Sequence, residues 1–319
     1  MELTSVQREL LYQLTQNSRQ HVSKLAKIPY LTKDIISYQM KLFAEKQIIR
    51  NYITRINQSV FSVGIALFLL KIEKRDTQKI QDAIVYLQKK DYINWIATTL
   101  GSADIVLTAH YNSNEHLQTI QEDLAQNIQG MHHEMHLYTQ ELKFDRGGLI
   151  LAGKTQSSAQ PPFSNKRIEL DNTDTQLLLE LNYNARIRNN KLAEKLSISE
   201  DTVRERIKRL EKQNIILGYT IFVDTTKLGY EGYMVYFNSA VAKLQVQALC
   251  ETIGEIEFCA QMTGRFNYVC SIQTKTRTTF NSILSRLCVE LQVTNYDMLL
   301  LLDSHKEIFV PHLARSDEI

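Results

Sequence analysis

Ser199, Thr202, Arg206 and Arg209 stand at spacings of three, four and three. At about 100° per residue, that places two hydroxyls and two guanidiniums on one helical stripe. A hydroxyl near a helix start can reach a phosphate or a base edge. A guanidinium can bind phosphate, or grip guanine through two parallel hydrogen bonds. Glu205, on the rim of the stripe, either accepts from cytosine or repels phosphate. The alternative for the arginines is pairing with acids nearby in the sequence, such as Glu180 or Asp174.

Three other groupings could do chemistry. Thr263-Gly264-Arg265-Phe266-Asn267 is a turn whose glycine would let backbone amides approach a ligand carboxylate. Gly101-Ser102-Ala103-Asp104 is the matching turn of the first half and adds an acid, Asp104, that could meet an amino group. A plain strand turn is the other reading there. His132, Glu134 and His136 alternate, so on a strand they share a face and could hold a divalent metal. An ordinary polar strand face is the alternative, with Met131, Met135 and Leu137 in the core behind it. Cys250, Cys259, Cys270 and Cys288 form no CxxC pair and are read as buried reduced thiols. No metal and no cofactor is expected.

The first stripe needs a helix that starts at Ser199, a good N-cap. Val203, Ile207 and Leu210 form its core stripe. Residues 170–229 give an acidic start, three helical apolar patterns and two short β-prone runs. Strands are then predicted at 233–239, 256–262, 267–273 and 296–302, with helices at 242–253 and 278–291. The first half gives the same order: a β-prone run at 59–72, helices at 77–89 and 114–129, and strands at 93–99, 105–110 and 131–141. That order is the β-α-β-β-α-β unit of ferredoxin-like folds. Between the halves, Gly147-Gly148, a Ser/Gln stretch and Pro161-Pro162 have linker composition.

The opening segments of the two halves, 3–52 and 170–219, align without gaps at a constant shift of 167 positions. Leu3 falls on Leu170, Leu10 on Leu177, Arg19 on Arg186, Leu25 on Leu192, Ile48 on Ile215 and Tyr52 on Tyr219. An internal duplication follows. The shift carries the core stripe to Ile36, Met40 and Phe43, which stay apolar. It carries the polar stripe to Thr32, Ile35, Gln39 and Leu42, where both arginines are gone. The first copy is therefore expected to keep the fold and to meet a polyanion weakly, through Lys33, Tyr38 and Lys41, or to serve as a packing partner.

The chain has 319 residues, 44% hydrophobic and 23% charged, with a net charge of +2. Such a chain can bury substantial cores, and any nucleic-acid binding must rest on a local patch. Residues 1–60 hold nine Lys/Arg against four Asp/Glu. No apolar run has the length of a membrane span, and the N-terminus opens on a helix pattern with no signal-peptide core. A cytoplasmic protein with no membrane association is expected.

The pattern LDxxDxxLLxxLxxxARxxxxxLAxxLxxSxxTVxxRIxRLExxxIIxGY, present from Leu170 to Tyr219, resembles the leading signature of the leucine-responsive/asparagine regulators (Lrp/AsnC). Met262-Thr263-Gly264-Arg265-Phe266-Asn267-Tyr268 resembles their second signature, although Asn267 stands where the family commonly carries an acid. Residues 1–145 resemble the family more faintly. The resemblance implies an α+β chain of two tandem units, each a winged helix-turn-helix followed by a ferredoxin-like effector domain. The expected divisions are 1–58 (degenerate reader), 59–145 (effector), 146–168 (linker), 169–229 (DNA reader) and 230–313 (effector).

The function so implied is sequence-specific binding of double-stranded DNA by a transcription regulator. A small effector such as an amino acid would modulate it, and the chains would oligomerise through the effector domains. DNA contacts fall to Ser199, Thr202, Arg206, Arg209, Lys33 and Lys41. Effector contacts fall to Gly101, Asp104, Thr263, Gly264 and Asn267. Two other functions fit the fold. Sirohaem decarboxylases resemble it, some as fused two-copy chains, and would use His132, His133 and His136 on propionates or substrate. A ligand-sensing adaptor that pairs with other regulators would use the first module. Fold does not decide among them.

Overall fold

A computed structural model describes residues 2–58, 64–73, 76–128, 130–151 and 170–308. Helices α1 (Ser5–Gln16), α2 (Val22–Leu25) and α3 (Lys33–Glu45) lead into strand β1 (Ile49–Ile56). Then come β2 (Gly64–Ile72), α4 (Thr77–Gln88), β3 (Ile93–Gly101), β4 (Ile105–Tyr111), α5 (Asn114–Asn127) and β5 (Met131–Phe144). The second half gives the same order. It runs through α6 (Asn172–Tyr183), α7 (Asn189–Leu196), α8 (Glu200–Lys212) and β6 (Ile216–Val223). It ends with β7 (Glu231–Asn238), α9 (Lys243–Thr252), β8 (Ile256–Thr263), β9 (Tyr268–Thr274), α10 (Arg277–Glu290) and β10 (Asn295–Glu307). No helix among the described residues is long and apolar enough to cross a membrane.

The helix starts follow local chemistry. Thr4, Thr32, Asp171 and Ser199 are N-caps whose side-chain oxygens accept from the backbone amides of Gln7, Ile35, Asp174 and Thr202. On α8, Val203, Ile207 and Leu210 are buried as the spacing requires.

The strands depart from expectation in two ways. Among the described residues no wing hairpin closes within either helix-turn-helix. Each module has one strand here, and β1 pairs antiparallel with β6, so Tyr52 faces Ile221 and Thr54 faces Tyr219. A lone strand must satisfy its amides and carbonyls somewhere, and its copy is the matching partner. The exchange reaches the cores as well. Ile56 of β1 packs with Leu177, Leu192 and Leu210 of the second module. Ile221 and Val223 of β6 pack with Leu10, Ile36 and Phe43 of the first. Burying each such side chain stabilises by roughly 1.5–3 kcal/mol.

The two β-α-β-β-α-β units are also not separate sheets. Their strands close one barrel in the order β10-β3-β4-β2-β5-β8-β9-β7. The seams are β5·β8 and β10·β3, which join the halves edge to edge. The last strand runs past its predicted end to Glu307 because it pairs with β3 as far as Trp95. Side chains alternate across the wall. Leu67 and Leu69 join Met234, Tyr236 and Leu299 inside the barrel, while Phe68 and Leu70 lie outside against α4 and α5. The segment read as a linker starts as packed chain. Arg146 donates to the Ile221 carbonyl at 3.0 Å, and Ile150 is buried in the first module's core. Residues 152–169, and 59–63 of the first β-prone run, lie outside the described residues.

Candidate nucleic-acid interface and barrel cavity

The helix-turn-helix modules clamp each other through residues that the repeat places in register. Arg19 Nη1 donates to the carbonyls of Ala185 (2.5 Å) and Ile187 (2.9 Å), and its Nη2 to Asn189 Oδ1 (2.6 Å). Arg186, its counterpart, donates to the carbonyls of Ser18 and Gln20. Arg19 lies 5.8 Å from the Tyr219 ring centre and Arg186 lies 5.6 Å from that of Tyr52. The Ser18 amide donates to the Tyr219 carbonyl and the Ala185 amide to the Tyr52 carbonyl, both at 2.9 Å. The contacts are reciprocal, so the modules are related by an approximate two-fold axis.

The arginine stripe of α8 faces its own module. Arg206 Nη1 reaches Asp171 Oδ2 and Asp174 Oδ1, each at 2.7 Å, and Arg209 pairs with Asp174. Of the two readings open for these arginines, the pairing with Asp174 is present, and Asp171 joins it. The cause is the start of α6. Its N-cap and first turn carry Asp171 and Asp174, acids favoured by the helix dipole, and the Asp174 side chain is only 4% exposed. A buried carboxylate needs cations, and α8 supplies them. Burial opposes ionisation of Asp171, but the hydrogen bond and charge of Arg206 outweigh it and hold the carboxyl below its ordinary range. Ser199 and Thr202 are exposed or half-exposed, and their hydroxyls are bonded to each other at 2.8 Å.

The first module has a neutral version of this contact. The shift of 167 carries Arg206 to Gln39 and Asp174 to Gln7, and Gln7 Nε2 donates to Gln39 Oε1 at 2.9 Å. Arginine and acid have been replaced together, as a packing contact requires. Leu42, in the place of Arg209, is half-buried.

The outward face of each recognition helix lies opposite its core stripe. On α8 it carries Asp201, Glu205, Lys208 and Lys212, flanked by Arg204, which pairs with Glu200 and Asp201. On α3 it carries Asp34, Tyr38, Lys41 and Glu45, with Lys33 exposed beside them. Lys41 and Lys208 are equivalent under the shift, and Tyr38 is 63% exposed. Sequence reasoning passed over Arg204, Lys208 and Lys212. Counting 180° from Val203, Ile207 and Leu210 would have found the lysines.

Both expected effector turns lie in the barrel seams. A Cβ on Gly264 would meet His136 Nδ1 at 2.4 Å, and one on Gly101 would meet the Met298 carbonyl oxygen at 2.9 Å. Asn267 bridges the backbone of Ser239, its Oδ1 accepting from the amide and its Nδ2 donating to the carbonyl. Asp104 is buried, accepts from the Ile72 amide at 3.0 Å and pairs with Lys71. Asn267 and Asp104 are thus each bonded within the chain. Thr263 faces Leu137 across the β5·β8 seam. His132 is exposed beside Glu73, whereas His136 is buried and bonded to Glu134, so the strand-face triad does not converge. Burial lowers the His136 pKa against the pull of Glu134. Cys250, Cys259 and Cys270 do converge, with sulfurs within 4.8 Å of one another in the second unit's core, a grouping that spacing gave no sign of.

A cavity of about 210 Å³ lies where the barrel meets the β1·β6 ribbon. Arg50 and Phe222 line it from the ribbon, and Trp95, Tyr138 and Phe258 from the barrel. Arg50 is bound to Asp224 and to the Ser304 carbonyl, and Arg146 to Glu307.

Comparison with known proteins bears on each part. Residues 170–211 match the AsnC-type helix-turn-helix domain. The chain is 29% identical over 153 residues to the HTH-type transcriptional regulator LrpB of Bacillus subtilis (strain 168), covering 47% of this chain and all of that one. It is 29% identical over 141 residues to the leucine-responsive regulatory protein of Klebsiella pneumoniae, covering 40% of this chain and 80% of that one. In three dimensions it overlays the siroheme decarboxylase NirDL in co-complex with an iron-uroporphyrin III analogue. The TM-score is 0.62, over 96% of this chain and 94% of that one, at 12% identity, a likeness of fold alone. Family signature and aligned relatives agree: residues 170–211 form an AsnC-type helix-turn-helix domain, and the chain is similar to regulators of the leucine-responsive type.

Proposed function

We propose that the protein is a DNA-binding transcription regulator built from two tandem units, in which one chain supplies both readers of a two-fold site. The reciprocal clamp between the helix-turn-helix modules carries this reading. It fixes α3 and α8 in one body, with equivalent lysines, Lys41 and Lys208, on their outward faces. Arg204 and Lys212 add to the second face, and Lys33 and Tyr38 to the first. Phosphate contacts from these groups would give affinity, and base contacts at the helix starts near Ser199 and Thr202 would give sequence preference. Both modules touch DNA in this reading, unlike a division into one strong and one weak reader. A small effector acting on the barrel would modulate occupancy, and the protein would work in the cytoplasm.

Selection of genomic fragments with purified protein, repeated across salt concentrations, tests the reading. An enriched pseudo-palindromic motif whose affinity falls steeply with salt is expected. Fragment recovery without any shared motif would overturn it.

The decarboxylase reading is favoured by the whole-chain overlap with NirDL. The cavity's charge speaks against it. Two arginines against five carboxylates line the cavity, a poor setting for a polycarboxylate tetrapyrrole. A tetrapyrrole absorbance band in the purified protein, with no DNA retained, would reverse this preference.

A further inference from the structure

We propose that the barrel cavity binds a small molecule with a protonated amine on an apolar body. Its ammonium is held between Glu257 and Glu307, and its body lies against Phe144, Phe222 and Phe258. Ligand binding as such is independent of DNA reading. The coupling to α3 and α8 rests on the regulator reading above.

The charge inventory points to a cation. Both lining arginines already have acids, Arg50 with Asp224 and Arg146 with Glu307. Among the described residues Glu257 has no cation. Its Oε1 accepts from Ser271 Oγ at 3.1 Å and Gln273 Nε2 at 3.2 Å. Glu307 takes Arg146 on Oε1, while its Oε2 is buried with no hydrogen-bond partner. The Oδ1 of Asn94, also in the lining, is buried without a partner too. Unsatisfied buried acceptors are costly, and these call for a donor. Glu257 and Glu307 lie close enough to repel each other, which a positive charge between them would reverse. An ammonium brings three donors and no acceptor.

The walls suit the rest of such a ligand. Arg146 already lies 5.1 Å from the centre of the Phe144 ring and 5.6 Å from that of Phe222, so these aromatic faces suit a cation. The volume is below that of pockets for drug-sized ligands, which bounds the body to about a phenyl ring with a short chain beyond the amine. Phe222 and Asp224 stand on or next to β6, and Arg50 stands on β1. A ligand seated there presses on the ribbon that joins the two helix-turn-helix modules.

The test is thermal unfolding of the full chain without DNA. Isoamylamine and phenethylamine are titrated against isoamyl alcohol and isovalerate, which keep the apolar body and replace the ammonium. The amines should raise the midpoint with saturation, and the alcohol and the acid should not. Glu257→Gln should weaken amine binding roughly tenfold to a hundredfold, the loss of one charge-assisted contact. Equal protection by the alcohol, stronger protection by isovalerate, no protection by either amine, or full protection of Glu257→Gln would each overturn the proposal. If that variant does not fold, amine against alcohol on the unaltered chain decides. DNA binding is measured on the same sample without amine. Its absence would count against the regulator and leave the cavity result standing.

Discussion

The two helix-turn-helix modules keep one geometry with different interior chemistry. In the second, Arg206 and Arg209 hold the acids that open α6. In the first, the same contact is the amide pair Gln7–Gln39. The difference separates architecture from recognition. Residues replaced together with their partners belong to the module's interior. Residues kept on the outward helix face, such as the exposed Lys41 and Lys208, belong to its exterior. The lost arginines of the first module are therefore no measure of lost DNA reading.

The largest effect should come from breaking the ionic version. Arg206→Ala leaves the buried Asp174 with one cation, and about 2–3 kcal/mol of stability should go, read from the denaturant midpoint. Gln39→Ala in the first module should cost about 1 kcal/mol. The double change Arg206→Gln/Asp174→Gln, which imports the amide pair, should recover more than half of the larger loss. If Arg206→Ala instead left stability unchanged and abolished DNA binding, the comparison would fail.

Next in size is the clamp. Arg19→Ala and Arg186→Ala should destabilise by matched amounts, about 1–2 kcal/mol each, because each removes the same carbonyl contacts from opposite sides. Strongly unequal losses would mean that one module holds the other and the two-fold relation is only geometric.

The lysines sharpen the exterior side of the comparison. Lys41→Glu and Lys208→Glu should each weaken DNA binding and lower the salt slope by about 1, with little change in stability. A loss confined to Lys208→Glu would restore the picture of one reader and one packing partner.

The smallest effect concerns acid. Burial raises the Asp224 carboxyl pKa, but hydrogen bonds from Thr226 and Arg50 outweigh it and hold the group below its ordinary 3.8. Its stabilisation is therefore complete above about that pH and is lost as pH falls through the lowered folded value. The first module has Asn57 at the equivalent place. Asp224→Asn should flatten the acid limb of stability against pH below 4, and an unchanged limb would show that other carboxylates dominate it.

Much of this was legible in the sequence because it is local. N-caps at Thr32 and Ser199 and the apolar spacing of Val203, Ile207 and Leu210 act within one helix. The exchanged strands were not legible, since β1 can pair within its module or with its copy and only tertiary packing decides. The barrel is illegible in the sequence for the same reason. The seams β5·β8 and β10·β3 join edges far apart in the chain, and period-two alternation carries no record of the partner. The arginine stripe is different. Asp174 is one of the acids the sequence offers as a partner, and the joint change to Gln7 and Gln39 is present in the repeat. Reading the copies as pairs of positions, and not one helix at a time, would have assigned it.

The reciprocal clamp has a kinetic consequence. Two readers made as separate molecules meet at a rate set by their abundance, so the paired form scales with the square of a low concentration. Here the partner arrives with each synthesised chain at a fixed effective concentration. Occupancy of a two-fold site would then rise in direct proportion to expression, without a threshold set by assembly.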